Sequence, residues 1–77
     1  MNLAMIYSDL MYVGAPITQV FPPTELTEGG LVVNNEWLIQ VTKNKEILLD
    51  ELRVDDTINP VSAFSTVDDL IKFIMEN

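Results

Sequence analysis

The run Leu31-Val32-Val33, Asn34-Asn35, Glu36-Trp37-Leu38-Ile39-Gln40-Val41 constrains this chain more than any other. Two stretches suited to extended backbone flank a pair of asparagines, residues that tolerate the positive φ angles of a tight hairpin turn. A β-hairpin is predicted here, and an antiparallel sheet is built outward from it. Beyond it, Thr42-Lys43-Asn44-Lys45 reads as a second turn, leading into Glu46-Ile47-Leu48-Leu49-Asp50-Glu51-Leu52-Arg53-Val54 and completing a three-stranded meander. A helix capped by Asn44 competes for this last segment, because Glu, Leu, Lys and Arg favour helix. It would stack Glu46 on Asp50 and Glu51 on Asp55 as like-charge i, i+4 pairs, each costing about 0.2–0.5 kcal/mol. The strand is therefore favoured. It places Leu48, Asp50, Leu52 and Val54 on one face and Glu51, Arg53 and Asp55 on the other.

Helices are expected at both ends of the chain. Residues 3–13 fit either helix or strand, because Leu3, Ile6, Tyr7 and Leu10 follow a helical repeat while Tyr, Ile and Val favour extended chain; Asn2 at a capping position and the stop signals of Gly14 and Pro16 tip the choice to a short helix. Residues 17–21, Ile-Thr-Gln-Val-Phe, alternate as a strand that Pro22-Pro23 ends, and Pro22 to Gly30 reads as a loop. Near the C-terminus, Ser65 or Thr66 caps a helix whose first turn holds Asp68 and Asp69, where the backbone N–H groups favour carboxylates. Val67, Leu70, Ile71 and Ile74 form its buried stripe, widened by Phe73 and Met75, and Asp68, Lys72 and Glu76 line the opposite face. The predicted architecture is a single α+β domain over residues 1–77. It has a small antiparallel sheet of three to four strands packed against a C-terminal helix, with a short helix at the N-terminus.

A 77-residue chain buries only roughly 60% of the surface it exposes when unfolded, so its core must be thin. Its 48% hydrophobic content is enough to fold, and without cysteine no disulfide or thiolate metal site reinforces it. Packing or self-association has to supply the stability. The N-terminus lacks a positively charged n-region, and Asp9 interrupts its apolar stretch. No apolar run approaches the roughly 18 residues of a membrane span. A cytoplasmic protein is expected.

Charge narrows the choice of partner. Twelve Asp and Glu face four Lys and Arg, with no histidine and a net charge of −8, and the first 42 residues contain no basic side chain. A field of that sign repels nucleic acid and anionic membrane and favours basic protein surfaces. Without His or Cys, the usual neutral-pH base, the thiol nucleophile and the common zinc ligands are missing. Gly29-Gly30 is followed by no phosphate-loop Lys, and the doublets Asp50-Glu51, Asp55-Asp56 and Asp68-Asp69 lack calcium-loop spacing. The expectation is a non-catalytic protein with no cofactor or metal.

Between Glu46 and Asp56 stand five acids and one Arg. On a strand, side chains sharing a face repeat at about 6.5 Å, comparable to the phosphate repeat of a DNA strand. In size, acidity, lack of cysteine and mixed α and β pattern, the chain resembles the small phage-encoded proteins that imitate DNA charge. Targets of that class include the nucleoid protein HU, uracil-DNA glycosylase, restriction enzymes and CRISPR nucleases. The resemblance covers the whole chain as composition and rests on no shared motif. It implies an inhibitor acting in a host cytoplasm, on a basic, DNA-binding host protein. From the charge pattern, Glu46, Asp50, Glu51, Asp55 and Asp56 would pair with that protein's Lys and Arg, with Glu25, Glu28 and Glu36 assisting; Trp37 would add apolar contact, although a large ring in so small a domain is more often simply core. The alternative is a plain interaction or assembly module, such as a homodimer pairing strand edges, acidic only for solubility.

Overall fold

In a computed structural model, which describes residues 3–76, the chain runs α1 (Leu3–Tyr12), β1 (Ile17–Phe21), β2 (Thr27–Val33), β3 (Trp37–Thr42), β4 (Ile47–Leu52), β5 (Ile58–Phe64) and α2 (Val67–Glu76). The strands form one antiparallel sheet in the order β1-β2-β3-β4-β5, so each strand pairs with its neighbour in sequence.

The central hairpin forms as predicted. Asn34 and Asn35 adopt φ of 56° and 53°, and the Glu36 N–H donates to the Val33 carbonyl at 3.0 Å. Two further turns use the same device. Lys45 (φ 67°) closes the β3–β4 turn by donating to the Thr42 carbonyl, and Asp56 (φ 67°) closes the β4–β5 turn by donating to Arg53, each at 3.0 Å. Residues 47–52 are strand, so the choice between strand and helix falls on the strand. The chain leaves it at Leu52, which puts Arg53, Val54 and Asp55 in the turn and removes them from the alternation.

Two differences concern strands. The sheet has five of them, because β5 forms despite Pro60. Proline removes a ladder donor and is tolerated at an edge; β5 is the last strand, and its register shifts by one residue beside Pro60. β2 also starts at Thr27, inside the stretch expected to be loop. A tight turn in which the Thr24 hydroxyl accepts the N–H groups of Leu26 and Thr27 shortens that loop. Gly29 then allows the close approach: its φ is 117°, and a Cβ there would lie 2.9 Å from Leu3 Cδ2 and 3.1 Å from the Phe21 carbonyl oxygen.

Both helices pack on one face of the sheet. Ile6 and Leu10 of α1 and Val67 and Leu70 of α2 close over Leu31, Val33, Trp37, Ile39, Val41, Ile47 and Leu49. α1 ends in a Schellman turn, with Gly14 at φ 80° donating to Met11 and Ala15 donating to Leu10. Of the two candidate caps for α2 the hydroxyl of Thr66 serves, accepting the Asp69 N–H at 3.2 Å. Phe73 widens the buried stripe as expected, its ring edge-on to Trp37 at 5.6 Å and tilted against Phe64 at 5.8 Å. Met75 does not, being 59% exposed, because its position turns away from the sheet. The other sheet face carries no helix.

Candidate acidic interface

Two connections converge at one end of the sheet. The Asn34–Glu36 turn and the Arg53–Asp56 turn are held together where the Leu52 N–H donates to the Glu36 carbonyl at 2.8 Å, next to the Trp37–Glu51 pair of the β3–β4 ladder. This register brings Glu36 beside residues far along the chain. Asn35, Glu36, Glu51, Leu52, Arg53, Val54 and Asp55 line a shallow depression of about 480 Å³, with Asp56 exposed next to it.

Arg53 Nε lies 3.3 Å from Glu51 Oε1, so the one cation here is engaged with an acid, while Asp55 and Asp56 are exposed and Glu36 is half-buried. Asp55 accepts hydrogen bonds from the Thr57 hydroxyl at 2.6 Å and the Thr57 N–H at 3.1 Å. These donors hold its carboxyl below the ordinary 3.8, the hydroxyl contributing most. The charge is thus fixed at all but strongly acid pH.

The remaining expected residues lie elsewhere. Glu46 is exposed at the opposite end of the sheet, its N–H donating to the Thr42 hydroxyl at 3.0 Å. Asp50 projects from the middle of the helix-free face, between Leu38 and Pro60. Glu28 binds Lys45 Nζ at 2.6 and 2.7 Å, and that hydrogen bond lowers its pKa. Glu25 is exposed in the β1–β2 loop. The 46–56 segment therefore forms no continuous row of carboxylates, because the strand sends Asp50 and Glu51 to opposite faces and its two flanking turns stand at opposite ends. Trp37 is only 8% exposed and belongs to the core. The apolar side chain at the acidic end is instead Val54, fully exposed in the turn. In the sequence it is the aliphatic residue between Arg53 and Asp55, and it leaves the alternation of residues 46–54 because β4 ends at Leu52.

Among the described residues, no group of three or more Asp or Glu side chains is placed to hold a metal ion, and no helix is long and apolar enough to cross a membrane. No protein family, curated protein or solved structure matches the chain.

Proposed function

We propose that this chain is a non-catalytic binding protein that uses its acidic end to occupy the basic, nucleic-acid-binding surface of a host protein, as small phage-encoded DNA mimics do. The observation that carries this reading is the gathering of Glu36, Glu51, Asp55 and Asp56 around exposed Val54, with Arg53 as the single cation. Long-range attraction to Lys and Arg would steer the encounter. Exposed ion pairs contribute only about 0–1 kcal/mol each, so Val54 and the half-buried Leu52 would supply apolar contact. Occlusion of the groove is then competitive with nucleic acid. The mimicry is that of a compact cluster of charge, not of a long backbone.

The reading is tested by an affinity pull-down from bacterial lysate, with and without competing duplex DNA, using the wild-type chain and the Glu36→Gln/Asp55→Asn/Asp56→Asn variant. A basic DNA-binding protein should be captured by the wild type, released by DNA and by raised salt, and lost with the triple variant. Capture that persists unchanged at high salt, or with the triple variant, refutes it.

A further inference from the structure

An antiparallel sheet with one face on a core ordinarily turns polar side chains outward on the other, and the central rows of this one do so only at Gln19, Gln40 and Asp50. Across the helix-free face, Val32, Leu38, Leu48 and Leu52 follow one another on the three inner strands, flanked by Phe21 on β1 and Ile58 on β5. Val32 is 3% exposed yet stands apart from the helix-side core, whereas Phe21 and Ile58 are 38% and 56% exposed. In the two central rows, Gln19-Val32-Leu38-Asp50-Pro60 and Phe21-Gly30-Gln40-Leu48-Ala63, Asp50 is the single charged side chain. A run of apolar side chains across an open sheet face is a candidate contact site.

We infer that this face is the interface of a symmetric homodimer in which two sheets pack against each other. Charge selects the second copy as occupant. A basic partner would be met by carboxylates, and this face offers it only Asp50. On a chain of net charge −8, two copies meeting through α2, with its Asp68, Asp69 and Glu76, or through the acidic turns would oppose several acids, whereas here only the two Asp50 side chains enter the contact. Area agrees. Five strands spaced at about 4.8 Å and about 20 Å long present a footprint near 500 Å², so two faces bury on the order of 1,000 Å², the lower limit for a specific interface. The product is a four-layer α/β/β/α particle with its sheets about 10 Å apart. It is related by a two-fold axis in the contact plane, which makes the interface self-complementary. The acidic ends stay outside the contact, so each dimer carries two of them.

Sedimentation equilibrium of the full chain alone, from 1 µM to 500 µM, tests this without any partner and so leaves the reading of the acidic end untouched. The wild type should pass from monomer to dimer within that range. Asp50→Asn, which removes the carboxylate each copy would bury in the contact, should tighten the dimer about tenfold. Leu48→Glu should abolish it while the circular dichroism spectrum is kept. A monomer at every concentration for both the wild type and Asp50→Asn overturns the inference. So does a dimer that survives Leu48→Glu, since the contact would then lie elsewhere, with the β1 edge as the alternative.

Discussion

The two faces of the sheet are built from neighbouring positions of the same strands, yet they have met different fates. Leu49 points toward the helices and is fully buried, while Leu48, one residue earlier, points away from them and is half-exposed. The side chains are the same and the β4 backbone is continuous; only the presence of α1 and α2 differs. Burial here is thus decided by what the ends of the chain cover, and an apolar strand residue has no assigned fate until they dock. This divides the molecule into a face committed to stability and a face available for association.

The sharpest way to break that comparison is to truncate both leucines. Leu49→Ala should cost about 2–5 kcal/mol, a large share of the stability of so small a domain, whereas Leu48→Ala should cost less than about 1 kcal/mol in the monomer, both read from urea unfolding at low protein concentration. Equal losses would mean that the helix-free face is as tightly packed as the other. A smaller effect is expected where β2 passes under α1. Gly29→Ala meets both a φ of 117° and the Leu3 side chain, and should lower stability by about 1–3 kcal/mol. Smaller again is the capping of α2. Thr66→Ala removes the acceptor of the Asp69 N–H and should cost about 1 kcal/mol. That loss would loosen the covered face, and an unchanged urea midpoint would refute it.

The smallest effect belongs to neither face. The Asp55 carboxyl is held below its ordinary value, so its contribution to stability is complete above pH 3.8 and is lost as pH falls through the lowered value. In Thr57→Val, which keeps the backbone donor and removes the hydroxyl, the Asp55 titration followed by carbon NMR should move back up toward 3.8. An unmoved titration would show that the hydroxyl is not the cause.

What was legible in the sequence was local. The Asn34-Asn35 turn, the stop at Gly14 and the Thr66 cap are each written within a few residues of where they act, because turns and caps are satisfied by nearby backbone. β5 was not legible, since Pro60 argues against a strand until it is known to be an edge. Val54 shows the same limit, since its exposure depends on the strand ending at Leu52, whereas the burial of Trp37 is what a large ring in so small a domain suggests. The acidic end was only half legible: Asp55 and Asp56 are a visible doublet, but Glu36 joins them through the β3–β4 register. The helix-free face was hidden altogether, because adjacent leucines give an alternation no sign of which side will be covered.

The order of the strands carries a consequence for how the molecule is assembled. Each strand pairs with the next, across connections of three to five residues, so the ladder closes without long loops and with little entropy lost per step. The contacts that join distant parts of the chain are those of the helices, α1 with α2, Leu3 over Gly29 and Phe73 against Trp37. The sheet is therefore expected to zip rapidly from its hairpins and the helices to dock last, which makes helix docking the slow step. Trp37 reports that step directly, since Phe73 packs edge-on against its indole. In stopped-flow refolding its fluorescence should settle after the far-ultraviolet strand signal, and coincident traces would show instead that sheet and helices form in one cooperative event.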